Sequence, residues 1–159
     1  MPLNAQISLS IIAHESTAGD ISRQMRVTPA IYASMLTDGT GANQAQVVWS
    51  ATEAIPEAGG ISFLFSNLQD DRGTVSITAL KLMYVRNPGT QTLELSPPNW
   101  SDGPLSAGNI RLPPGAAVTL VCPTAAGWPT TSNNAQLVVD TSNEATTVEV
   151  VFIGEGTIT

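Results

Sequence analysis

The chain has 159 residues, a net charge of −7 and only 12% charged residues, about half the usual ~25%. Its six basic residues do not cluster beyond Arg23 and Arg26, which leaves no basic face to neutralise phosphates and excludes nucleic acid as a partner. No apolar run approaches the ~20 residues of a membrane span, and a single cysteine, Cys122, excludes an internal disulfide.

What remains is one domain with room for a core, which with few aromatics must be built of Val, Ile, Leu and Ala. The N-terminus shows no basic stretch leading into a long apolar segment, so no signal peptide is expected. Leu3, Ala5, Ile7, Leu9 and Ile11 alternate with polar residues, the pattern of a half-buried strand. A polar loop, 15–20, follows. Ala30 to Leu36 reads as a second strand, Thr37 to Gly41 (T-D-G-T-G) as a turn, and Ala42 to Trp49 as a further strand. Ile61 to Phe65 is a short strand with Ile61, Phe63 and Phe65 on one face, and Asp70 to Gly73 is a hairpin connection.

The organising stretch is Gly73 to Asn87. Val75, Ile77 and Ala79 alternate with Thr74, Ser76 and Thr78; after Ala79 the apolar phase flips to Leu80, Leu82 and Tyr84. A slip of one residue inside a strand implies a β-bulge, or a strand buried on both faces. Asn87-Pro88-Gly89 and Pro113-Pro114-Gly115 are strong breaks. Thr92 to Leu95, Ile110 to Leu112 and Ala116 to Cys122 are strands, and Ala135 to Asp140 with Thr146 to Ile153 read as a last hairpin. Eight to ten short strands at this turn spacing predict an all-β, single-domain, jelly-roll-like β-sandwich over 29–159, with residues 1–28 as an N-terminal strand or arm. Its expected core holds Val75, Ile77, Leu80, Leu82, Val118, Leu120, Val138, Val148, Val150 and Phe152.

The residues that carry chemistry are sparse. The only histidine, His14, and the only cysteine lie far apart, and zinc needs three or four ligands, so no metal is expected. Asp70-Asp71 is the one adjacent carboxylate pair and reads as a solvated turn. The A-H-E-S run around His14 is no triad, since neighbours on a strand point to opposite faces, and no G-x-S-x-G elbow occurs. The T-D-G-T-G loop lacks the Gly-Lys-Ser/Thr ending of a phosphate loop. No catalytic residue and no cofactor are therefore expected. Cys122 continues an apolar run and reads as a buried, inert thiol. Trp100 and Trp128 sit in Pro-rich loops, where they could stack on sugar rings; plugging the end of the sandwich or lining a subunit interface is the favoured reading.

Four stretches carry a family resemblance: L-T-D-G-T-G-A-N-Q-A-Q-V-V-W (Leu36 to Trp49), I-T-A-L-K-L-M-Y-V-R-N (Ile77 to Asn87), L-P-P-G-A-A-V-T-L-V-C-P with A-G-W (Leu112 to Trp128), and T-V-E-V-V-F-I-G (Thr147 to Gly154). Their order, over about residues 30 to 156, resembles small β-rich proteins encoded among the head genes of tailed bacteriophages. Several of those are capsid decoration, or cement, proteins. The resemblance implies a non-enzymatic virion protein on the capsid exterior, assembled in the host cytoplasm. Its partners would be the major capsid protein and further copies of itself, a trimer favoured over a dimer. The alternative is a receptor- or carbohydrate-binding module of a phage fibre or tail. The residues expected at interfaces are Leu3, Ile7, Leu9, Ile11, Trp100 and Trp128. Residues 1 to about 28 are expected to pair with a neighbouring copy or the capsid, unless the first strand completes its own subunit.

Overall fold

The structure is a computed structural model that describes residues 3–9, 32–57, 59–106, 108–122, 124–131, 134–141 and 144–159. Among the described residues there are thirteen strands and no helix. They are β1 (Asn4–Leu9), β2 (Tyr32–Asp38), β3 (Gln44–Ala45), β4 (Val47–Ile55), β5 (Gly60–Leu64), β6 (Leu68–Asp70), β7 (Gly73–Arg86), β8 (Leu93–Ser96), β9 (Ile110–Leu112), β10 (Ala117–Val121), β11 (Trp128–Pro129), β12 (Gln136–Thr141) and β13 (Thr146–Ile158).

Two sheets form the β-sandwich. The larger runs β10-β7-β13-β4, with β6 and β11 also paired to β7; the smaller runs β5-β12-β8-β9. Antiparallel registers bring Ile55, Thr146, Arg86 and Ala117 to one end of the larger sheet. Gly60, Thr141, Leu93 and Leu112 lie at the matching end of the smaller one. At that end the chain changes sheet four times: β4 to β5, β7 to β8, β9 to β10 and β12 to β13. The stretch expected as a last hairpin is thus a crossover, because β12 and β13 belong to different sheets. Both strands have the alternation of a hairpin, and that pattern says nothing about which strand each one pairs with.

Asn87 organises two of these crossovers from a fully buried position. Its Nδ2 donates to the carbonyls of Gln91 (2.6 Å) and Leu112 (2.8 Å), and its Oδ1 accepts from Gly89 N–H (3.1 Å). Its backbone pairs with Ala116 and Gly115, so the two turn signals of the sequence are fastened to each other.

Between the sheets lies one core. It includes Trp49 and Ile55 from β4, Phe63 from β5, Val75, Ile77, Leu80, Met83 and Val85 from β7, Leu137 and Val139 from β12, and Val148, Val150 and Phe152 from β13. Trp49 stacks on Phe152 with centroids 5.5 Å apart, and Phe65 meets Trp100 edge-on at 4.7 Å, so the few aromatics are gathered in one place. Val118 and Leu120 pack on this core half-buried. Two expectations change. Leu82 is buried, but on the opposite face of the larger sheet. Val138 is only half-buried, because its neighbours Leu137 and Val139 are the residues that β12 turns inward.

The phase flip in β7 is a bulge in a strand buried on both faces. Ile153 pairs with Leu82 but Gly154 pairs with Leu80, which leaves Lys81 as the extra residue; Glu155 pairs with Ala79 and Gly156 with Ile77, which leaves Thr78. Five consecutive residues, Ala79 to Met83, are buried here. The partner strand carries glycine at both shifts. A Cβ on Gly154 would collide with the Ala79 carbonyl, and one on Gly156 with that of Ser76.

The third sheet, β1-β2-β3, is small. β1 pairs antiparallel with β2 of its own chain, Asn4 opposite Thr37 and Leu9 opposite Tyr32, and β3 runs parallel to β2. Residues 4–9 of the expected arm therefore dock at home; the rest of it, 10–28, lies outside the described residues.

Candidate interaction surface

The small sheet covers part of the outer face of the larger one. Leu36 and Ala45 form a second apolar cluster with Leu82 of β7 and Ile153 of β13, and Leu3, Ala5, Val48, Tyr84, Val121 and Val151 pack against it half-buried. Alternation lays out the remainder of that face. Ile153 lies beside Leu82 and Val48, Val151 beside Tyr84 and Ser50, and Glu149 beside Arg86 and Thr52. Its charges are paired off, Arg86 with Glu149 at 3.1 Å and, past the bulge, Lys81 with Glu155 at 2.8 Å. Away from the small sheet this surface carries Ala, Ser, Thr, Val and Tyr around the Arg86–Glu149 pair, with Ser50, Thr52, Ala54, Ala117 and Thr119 exposed.

Of the expected interface residues, Leu3 belongs to this surface, half-buried beneath its own chain. Ile7 and Leu9 lie in β1, opposite Ser34 and Tyr32 of β2. Ile11 lies outside the described residues, as does His14. Trp100 is 1% exposed, and its Nε1 donates to the Pro129 carbonyl at 2.7 Å. It closes the sandwich end opposite the crossovers from inside its own subunit, out of reach of a sugar or a partner. Trp128 is half-buried in β11, pairs with Leu80 and packs against the main core.

Lys81 is the residue that sequence reading passed over. Its side chain is fully buried at the bulge, where Nζ donates to the carbonyls of Thr124 and Ala125, both at 2.6 Å, and lies 2.8 Å from Glu155 Oε1. The bulge turns this side chain out of the alternation, and the loop after β10 closes over it. The only signal in the sequence was a lysine in an otherwise apolar run. Cys122 follows from the same loop. Its backbone N–H donates to the Lys81 carbonyl at 2.8 Å, and its thiol, 3.3 Å from Thr124 Oγ1, is half-buried rather than fully buried, because β10 is an edge strand.

The outer face of the smaller sheet is different in kind. Asp140 of β12 stands directly opposite Glu94 of β8, and Glu94 opposite Arg111 of β9. With Thr92 and Thr141 these residues line a shallow polar depression. Asn109 Nδ2 at 2.6 Å and Arg111 Nε at 3.1 Å both donate to the Glu94 carboxylate and hold its pKa below the ordinary range. Among the described residues no group of three or more His, Cys, Asp or Glu could hold a metal ion.

At the rim of the larger sheet, Arg72 donates to Asp70, holding that carboxyl below its ordinary range, and reaches the Val48 carbonyl with Nη2 at 2.6 Å. No protein-family model matches the sequence, and no curated protein is significantly similar to it.

Proposed function

We propose that this chain is a non-enzymatic structural protein of a phage virion, a decoration protein bound to the capsid exterior, and that its sandwich is a jelly roll. Eight strands, β4, β5, β7 to β10, β12 and β13, divide between two four-strand paths, and the chain changes sheet four times at one end. A winding of this kind, like that of the double-sheet folds of viral shells, supports the reading. Shared topology is an analogy and does not by itself carry function.

The observation that carries the reading is the outer face of the larger sheet, whose charges are paired off with each other and which leads under the small N-terminal sheet. A face whose few charges are already paired suits contact with another protein, since it has few free ionic groups to desolvate on binding. The partners are then the major capsid protein and further copies of this chain. The fibre or tail adhesin reading loses one of its two aromatic platforms, since Trp100 is interior.

Cosedimentation tests the proposal. Purified protein should bind expanded phage heads stoichiometrically and saturably, and replacing Thr119 and Ser50 by Asp should weaken that binding while the variant stays folded. Binding to cells or glycans with none to heads would overturn it in favour of the adhesin.

A further inference from the structure

We propose that the groove between β4, β5 and β6 is a docking site for a basic segment of another protein, whose arginine or lysine side chain meets Glu53. This goes beyond the reading above and needs no capsid, so it can fail while that reading stands.

β4 and β5 are the end strands of the two sheets, and β6 follows β5 in the chain. Between them lies a groove of about 310 Å³. Its walls include Trp49, Phe63 and Leu68, all buried, and the half-buried Ile61 and Leu64. Alternation adds a carboxylate to this apolar lining. Trp49, Ala51 and Ile55 are residues that β4 turns toward the core, and Glu53 falls in the same phase.

Glu53 is half-buried there, and no described residue forms a hydrogen bond or ion pair with it. Other polar groups of the groove are already engaged. Trp49 Nε1 donates to the Gln69 carbonyl at 2.9 Å, and Gln69 Nε2 donates to Asn67 Oδ1 at 2.8 Å. The other described carboxylates that lack such a partner, Asp38, Glu57, Asp71, Asp102 and Asp140, are all exposed to water. A carboxylate set against apolar walls loses part of its hydration, and a cation restores what water no longer supplies.

Charge and shape select the occupant. A chain of net charge −7 attracts cations. Its own four described basic side chains are each ion-paired within the chain, so a second copy has no described cation to offer, and the cation comes from a different protein. Arginine and lysine match the groove, with an aliphatic stem to lie along apolar surface and a charged head to reach the carboxylate. The apolar lining also has room for a neighbouring apolar side chain, which favours a peptide segment over a free amine.

Amide NMR spectra of the isotopically labelled full chain, titrated with acetyl-Leu-Arg-Leu-amide at low salt, test this. Shifts should concentrate on the amides of Glu53, Ile61 and Phe63. The same peptide with citrulline in place of arginine is neutral and nearly the same shape, and should bind at least about tenfold more weakly. The arginine peptide should lose as much on Glu53→Gln. The citrulline comparison leaves the protein unchanged, so it decides even if that variant misfolds. Spermidine should shift these amides far less than the peptide does. A groove whose amides do not move overturns the proposal, and filling of the groove by the chain's own residues 10–31 would give that result. So does a citrulline peptide or spermidine that binds as well as the arginine peptide, or equal shifts at Asp140. If Glu53 serves only to keep the edge of β4 from pairing, Glu53→Gln should self-associate while the peptide leaves the wild-type groove untouched, which overturns it too.

Discussion

The two outer faces of the sandwich share a scaffold and differ in almost everything else. On the larger sheet the face is apolar under the N-terminal sheet and neutral beyond it. The smaller sheet instead turns out Asp140 and Glu94 opposite each other, an unfavourable pairing that only Arg111 and Asn109 temper, and only on the Glu94 side. A protein of few charges thus arranges them unequally: on the outer face of the larger sheet they are paired off, while on the smaller one two carboxylates face each other. The difference teaches that pairing, more than the number of charges, sets the two faces apart.

The comparison breaks first at Lys81, which locks the loop after β10 to the bulge behind the neutral face. Lys81→Ala leaves two carbonyls without their donor and the Glu155 carboxylate without its counter-ion, and should cost about 3–5 kcal/mol, read by urea denaturation. A loss below ~1 kcal/mol would mean that the loop re-forms its contacts with water.

A pair of truncations sharpens the contrast between the faces themselves. Leu82→Ala removes a buried side chain under the small sheet and should cost about 2–5 kcal/mol. Val138→Ala, at the corresponding outward position of the smaller sheet, should cost less than ~1 kcal/mol. Equal costs would show that the N-terminal sheet does not cover Leu82 in solution. Trp100→Ala, by contrast, should destabilise by about 3–5 kcal/mol without touching either face, so any head binding measured on the folded fraction should persist.

The smallest expected effect is acid sensitivity, and it belongs to the polar face. The folded-state pKa of Glu94 is held below its ordinary 4.5 by Asn109 and Arg111. Those contacts therefore stabilise the fold above that pH and are lost as the pH falls through the depressed value. Arg111→Gln should flatten the acid limb of the stability curve slightly, because the groups are exposed and water screens them. An unchanged limb would mean that Asn109 alone holds the carboxylate.

By itself the sequence determined that this is an all-β chain, where most strands lie, and that β7 must slip phase after Ala79. Each of these depends on neighbours within a few residues: alternation for strands, Pro and Gly for breaks, and two consecutive inward phases for the bulge. Alternation also located most of the core, since a period of two divides a strand into faces. It could not say which face of β12 turns inward, because Leu137, Val138 and Val139 are all apolar. Nor could it separate a hairpin from a crossover at 142–145, since both need only a short polar connection. Those choices came from pairing between strands far apart in the chain. The same holds for Lys81, Asn87 and Trp100, three residues whose roles lie in partners far along the chain, such as Glu155, Leu112 and Pro129. Burial of a lysine or an asparagine is favourable only when distant carbonyls or a carboxylate arrive to meet it, and only the tertiary structure brings them there.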